Sequence, residues 1–257
     1  MTGRITPVGD LPDHGPVSTD LEAPAVALAI GAHPDDVEFG CGATLAKWAS
    51  AGTRIHHLIL TDGSKGTWES GDDVTALVAR RHEEQRAAAS CLGGGNVDFL
   101  DRPDGELASG LDERRQVCAV IRRVQPEVVL GHDPWRRYRL HPDHRHAGWL
   151  AVDGVVAARD PQFFPELGLA AHRPRAVLLW EADEPNHVEE VGPADVERKL
   201  AALLAHESQY VTTMGMGSGD DDAGEATFRR RVEEQLRAHG ALGGIPLGEA
   251  FHLIDRV

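Results

Sequence analysis

Two short stretches of this 257-residue chain gather side chains that handle metals or protons: His33-Pro34-Asp35-Asp36 and His141-Pro142-Asp143-His144. In the first, Pro34 fixes one φ and removes one donor, so the turn is stiff, and His33 and Asp36 can aim at one point while Asp35 faces a neighbouring one. Two histidines and one carboxylate with open positions are a common catalytic set for a divalent ion, zinc first and ferrous iron second. Such an ion lowers the pKa of a bound water towards about 7 and polarises a carbonyl, which is what amide hydrolysis needs. Asp35, beside a ligand but free, is placed to take the proton from that water and later give it to the departing amine. His141, if protonated, would stabilise the tetrahedral oxyanion, with Asp143 orienting it and favouring its charged form. The simpler reading of the first motif alone is that its aspartates cap the helix that follows.

These residues need elements to bring them together. An unbroken apolar run, residues 25–30, leads into the first motif and reads as a buried parallel strand. Helix formers at 43–50 ending at Gly52, then a strand-like RIHHLILT at 54–61, complete a βαβ unit. A polar loop at 61–70, a long helix at 73–92 closed by three glycines, a short strand at 97–100, an amphipathic helix at 111–124 and a fourth strand at 127–130 continue the alternation. Further strands are expected at 175–180 and 250–254, and helices at 193–206 and 227–239. The pattern predicts an α/β fold of one domain: a Rossmann-like, doubly wound, mostly parallel sheet of order 3-2-1-4-5 with helices on both faces. In that order the two motifs follow neighbouring strands whose loops diverge at the switch point, which puts His33, Asp35, Asp36, His141 and His144 around one crevice. Residues 1–22 read as a surface extension, partly disordered, with the domain spanning 23–257, and 214–224 (MGMGSGDDDAG) reads as a mobile loop, a lid or a plain linker.

Composition removes several functions. With 26 basic and 41 acidic residues and a formal net charge of −15, a nucleic-acid backbone or an anionic membrane is not expected as partner. No apolar run approaches the roughly 18 residues of a membrane span and the start lacks a signal-like pattern, so a cytoplasmic protein is expected. The three cysteines suggest neither a disulfide framework nor a thiolate zinc site. The first βα turn carries no GxGxxG, and there is no phosphate-cradling GK[ST] loop and no GxSxG elbow.

Taken together, AHPDDVEFGCGATLAKWASAG, LILTDGSKGTW, RRHEEQRAAASCLG with FLDRPDGEL, and HPDH resemble the PIG-L/LmbE family of metal-dependent N-deacetylases, over residues 23–148 and more weakly, through EPNHVEEV and HESQ, to 209. The resemblance implies a Rossmann-like domain that removes acetyl from an N-acetylglucosamine-type amino sugar or glycoconjugate, a small-molecule substrate, and it leaves room for a homo-oligomer. It implies His33, Asp36 and His144 as metal ligands, Asp35 as general base and His141 as the acid that stabilises the oxyanion. Arg81 falls at the family's Arg-x-x-Glu position and could reach a sugar hydroxyl, or merely pair with Glu84. Asp104, in the PDGEL turn, is a similar candidate, and His187 could line the pocket. The glutamate that many members carry directly after HPDD is displaced by one, since Val37 precedes Glu38. In Trp135-Arg136-Arg137-Tyr138-Arg139, Arg137 and Tyr138 are candidates for clamping an anionic group or stacking on a sugar; the alternative is that these arginines pair with surplus acidic groups and hold the loop. Two rival functions stand beside the deacetylase: a metal-dependent amidase of a larger thiol-sugar or natural-product amide, and a non-catalytic Rossmann-like binding module whose histidines and aspartates are structural.

Overall fold

The computed structural model describes residues 16–71, 73–217 and 222–257. Its strands are β1 (Ser18–Thr19), β2 (Val26–Gly31), β3 (Arg54–Thr61), β4 (Asn96–Arg102), β5 (Val128–His132), β6 (Ala176–Trp180), β7 (His187–Glu190) and β8 (Gly248–Ile254). The α-helices are α1 (Asp36–Ser50), α2 (Val74–Cys91), α3 (Leu111–Val124), α4 (Pro142–Arg159), α5 (Pro193–Leu204) and α6 (Asp222–Leu242). Strands β4-β3-β2-β5-β6 are parallel neighbours, which is the expected 3-2-1-4-5 core. The sheet continues beyond it: β8 runs antiparallel to β6, β7 antiparallel to β8 and β1 parallel to β7, so the complete order is β1-β7-β8-β6-β5-β2-β3-β4.

Alternation along β2 divides the core. Leu28 and Ile30 pack with Val117 and Ile121 of α3 and Leu150 and Val155 of α4, while Ala27 and Ala29 pack with Leu45 and Trp48 of α1 and Ala88 of α2. Helices α5 and α6 form a third apolar cluster with Leu200, Leu203, Phe228 and Leu236. Because β2 is covered on both faces, its six residues are all buried, and only its carboxyl end opens to ligand.

Helix α1 is broken where the sequence reads Gly40-Cys41-Gly42. Cys41 takes φ −149, and a Cβ on Gly40 would overlap the Trp180 indole, so this position admits no side chain. The break leaves backbone groups without helical partners. Glu249 accepts from the N–H groups of Ala43 and Thr44 at 3.1 and 2.7 Å, and Lys199 donates to the Phe39 carbonyl at 2.8 Å and to Glu249 at 2.5 Å.

Of the expected extension, residues 1–15 lie outside the described residues and Ser18–Thr19 form the edge strand β1. Within the expected mobile loop, Met214 and Met216 are buried, residues 218–221 lie outside the described residues, and α6 begins at Asp222. No helix among the described residues is long and apolar enough to cross a membrane.

Candidate active site

The motifs meet where β2 and β5 end side by side, with Ile30 in register with Gly131. Beyond β2 the chain turns through His33, Pro34 and Asp35 into α1, and Asp35 takes φ 110, ψ −26. This left-handed setting costs a non-glycine residue on the order of 1–3 kcal/mol, so its surroundings must hold it. Arg81 of α2 donates to the Pro34 carbonyl at 2.6 Å and to the Gly63 carbonyl at 2.9 Å, and Gln85, one turn later on the same face, accepts from the Asp35 N–H at 3.0 Å. Gly63 sits at φ 67, and a Cβ there would come within 2.7 Å of the Arg81 guanidinium. Beyond β5, His141 caps α4: its Nδ1 accepts from the Asp143 backbone N–H at 3.3 Å, with Pro142 in the first turn.

Three side chains close a triangle, to which Asp36 contributes both carboxylate oxygens. His33 Nδ1 lies 3.3 Å from Asp36 Oδ2 and 3.2 Å from His144 Nε2, which lies 3.3 Å from Asp36 Oδ1. Atoms bound at 2.0–2.1 Å around a tetrahedral ion stand roughly 3.3 Å apart, so the spacing and the nitrogen–oxygen donor set fit zinc or a similar divalent ion. The surroundings of His33 also suit a cation. Its Nε2 faces Asp104 Oδ1 at 3.1 Å and Asp143 Oδ2 at 3.2 Å, an arrangement in which Nε2–H donates and the Nδ1 lone pair points into the triangle. Burial alone would lower the His33 pKa, yet Asp104, Asp143 and Asp36 hold it well above the ordinary value. Asp36 moves the other way: burial opposes ionisation, but His144 and His132 keep its carboxyl well below the usual range.

A fourth imidazole, His132 at the end of β5, reaches Asp36 Oδ2 at 3.2 Å with Nε2. The Trp180 indole N–H donates to His132 Nδ1 at 3.0 Å, so the neutral ring carries its proton on Nε2 and holds Asp36 from behind. Arg139 Nη1 lies 3.2 Å from His132 Nδ1 and 3.1 Å from His144 Nδ1. A guanidinium only donates, so ligation through His144 Nε2 requires that contact to give way, towards Glu181 Oε2, already 2.7 Å from Arg139 Nη2.

Asp35 stands beside the triangle and outside it. Burial raises its pKa to about 6, Arg81 at 3.6 Å works against the rise, and Asp36 adds to it. His141 is shifted down by burial and by repulsion from His33 and His144. A cavity of about 620 Å³ opens over these groups, lined also by Lys65, Trp68, Glu181, Gln209 and Thr212.

The structure brings His33, Asp35, Asp36, His141 and His144 to one cavity, as the strand order implied. Several expected roles change. The Asp143 carboxylate does not orient His141: it accepts from Gly105 N–H at 2.6 Å and Leu107 N–H at 3.2 Å and faces His33, leaving its backbone N–H to fix the His141 ring. Nor is His141 held charged, since its pKa is lowered. Arg81 and Asp104 line the cavity but are engaged by the Asp35 turn and by His33. Arg137 and Tyr138 do not line it: Tyr138 is 87% exposed, and Arg137 lies over a separate cavity with its N–H on Asp183. Arg136 and Arg139 pair with Glu181, the loop-holding alternative. His187 is buried within β7, on Glu189 at 2.9 Å and Ser18 at 2.8 Å, away from the site. Sequence reasoning passed over His132, although it ends a strand at the switch point, and Gln85, although it shares a helix face with Arg81.

Comparison with known proteins follows the same lines. The family model described as GlcNAc-PI de-N-acetylase, PIG-L, matches residues 28–155. A diacetylchitobiose deacetylase of Thermococcus kodakarensis is 38% identical over 186 residues, 71% of this chain and 69% of that one. The chain belongs to the PIG-L family. It is an N-deacetylase, a hydrolase of the kind its relatives represent. The solved N,N'-diacetylchitobiose deacetylase of Pyrococcus horikoshii superposes with a TM-score of 0.80 at 28% identity, covering 90% of this chain and 84% of that one. A 4-oxalmesaconate hydratase of Pseudomonas putida is 29% identical over 167 residues, 63% of each chain.

Proposed function

We propose that this PIG-L protein is a divalent-metal-dependent deacetylase, zinc first and ferrous iron second, that releases acetate from an N-acetylated amino sugar or glycoconjugate. His33, Asp36 and His144 would hold the ion, which supplies Lewis acidity to the amide carbonyl and to the attacking water. The carrying observation is the convergence of these three side chains at 3.2–3.3 Å, with a buried carboxylate, Asp35, beside them and uninvolved in those contacts.

Asp35 acts as general base. It takes a proton as the water oxygen forms its bond to the acetyl carbon, then returns the proton to the nitrogen as the C–N bond breaks, leaving acetate and a free amine. His141 donates from Nε2–H to the developing oxyanion. It does so as the neutral ring, because its Nδ1 already accepts from Asp143 N–H and its pKa is lowered. Arg81 and Gln85 fix the Asp35 turn, and His132 fixes Asp36. The 620 Å³ cavity is of the size that takes a whole small ligand, and the 75% exposed Trp68 indole on its rim suits stacking on a sugar face. The names of the relatives in Thermococcus and Pyrococcus support a short N-acetylglucosamine oligomer such as N,N'-diacetylchitobiose as the first substrate to try.

Acetate release from N-acetylglucosamine, N,N'-diacetylchitobiose and larger N-acyl amides, on native protein and Asp35→Asn, tests this reading. Acetate from a sugar, lost in the variant by about 10²-fold or more, supports it. A longer carboxylic acid released in place of acetate would assign the site to a larger amide instead.

A further inference from the structure

Behind Asp35, on the side away from the cavity, lies a second polar cluster of which the chemistry above uses only Gln85. Glu38, in the first turn of α1, is fully buried, as are Gln85 of α2 and His206 just beyond α5. Gln85 is the pivot: its Oε1 accepts from the Asp35 N–H at 3.0 Å and its Nε2 donates to Glu38 Oε1 at 2.7 Å. The other oxygen of Glu38 faces His206 Nε2 at 3.5 Å. Apart from that long ion pair, neither Glu38 Oε2 nor the ring nitrogens of His206 have a hydrogen-bond partner among the described residues. What the cluster touches is the one residue of the turn held in a left-handed backbone setting.

We propose that His206, Glu38 and Gln85 form a buried positioning relay that fixes the Asp35 backbone, and with it the carboxylate, against the scissile amide. The amide of Gln85 can serve both neighbours only because one end accepts and the other donates. Glu38 sets its orientation by demanding a donor, and the buried imidazole of His206 compensates the Glu38 charge. None of the three lines the cavity, so all act through Asp35 and none touches substrate. The inference rests on the assignment of Asp35 as general base.

The test is a reciprocal exchange. Gln85→Glu sets two carboxylates against each other and removes the donor; adding Glu38→Gln restores one donor and one acceptor at that contact with the roles reversed. With N,N'-diacetylchitobiose as probe, Gln85→Glu lowers kcat about tenfold or more with KM within about twofold, and the double variant recovers to within about threefold of native. If Gln85→Glu does not fold, Gln85→Met keeps the volume, drops both bonds and reads the same loss of kcat. Metal content stays at the native level in each, and the Asp35 amide is expected to exchange slowly in the native protein and the double variant and fast in Gln85→Met. A native kcat in Gln85→Glu or Gln85→Met, or a double variant no better than the single, overturns the relay. If native protein or Asp35→Asn behaves contrary to the base assignment, that assignment has failed, and the exchange rate of the Asp35 amide alone decides whether Gln85 and Glu38 hold the turn.

Discussion

Asp35 differs from Asp36 by one position, yet the two carboxyls are driven in opposite directions. Asp36 is surrounded by imidazoles that favour its charge; Asp35 is buried with Arg81 as its nearest compensation, and its pKa rises to about 6. As the proposed base, Asp35 must be ionised to work, so that proposal predicts activity falling as the pH drops through that value, with the acid limb of a kcat/KM profile near pH 6. Since Arg81 pulls the Asp35 pKa down, Arg81→Gln moves that limb to higher pH; an unmoved limb would show that another group controls it. That His33, Asp35, Asp36, His141 and His144 line one cavity was legible in the sequence, because two His-Pro-Asp turns follow adjacent parallel strands. The neighbours were less so. Arg137 and Tyr138 lie in the right loop, but residue type does not encode which way a loop side chain faces. His187 was misplaced because its sequence neighbourhood of mixed charge hid the strand β7.

At the scale of elements, α3 coincides with its expected span because its apolar stripe is clean, whereas α1, expected only from residue 43, begins at Asp36 and runs across Gly40-Cys41-Gly42. The helix does break there, and it survives through a contact about 200 residues away in sequence: Glu249 receives the freed N–H groups of Ala43 and Thr44 and is neutralised by Lys199. No local pattern could announce that. Glu249→Ala leaves the Lys199 ammonium buried and unpaired, and an equilibrium unfolding titration should show a loss of about 3–5 kcal/mol. A loss below about 1 kcal/mol would mean that the break needs no such support.

Across the whole molecule, the five-strand core and the antiparallel strand β8 were readable, and β7 and β1 were not, since β1 is two residues long and β7 is short and polar. That edge is tied down by charge. Lys47 of α1 meets Glu189 of β7 at 2.6 Å and Asp20 at 2.8 Å, and Glu189 also receives His187. Burial would raise the Glu189 pKa, but His187 and Lys47 bring it below the ordinary 4.5, so its contribution to stability is present above that pH and is lost as the pH falls through the lower folded value. Glu189→Gln should therefore be less stable than native protein at pH 7, with the gap in unfolding free energy closing below about pH 4.5; a gap independent of pH would contradict this.

The fold, the site and its proposed chemistry come together in one claim, that His33, Asp36 and His144 hold an ion without which acetate is not released. The direct measurement is acetate release by native protein and His144→Ala, beside the metal content of each, before and after chelation and after restoring zinc or ferrous iron. About one equivalent of metal per native chain, activity lost on chelation and regained on restoration, and low metal with low activity in His144→Ala is the predicted result. Full activity in chelated protein, or in a variant that has lost its metal, would contradict it.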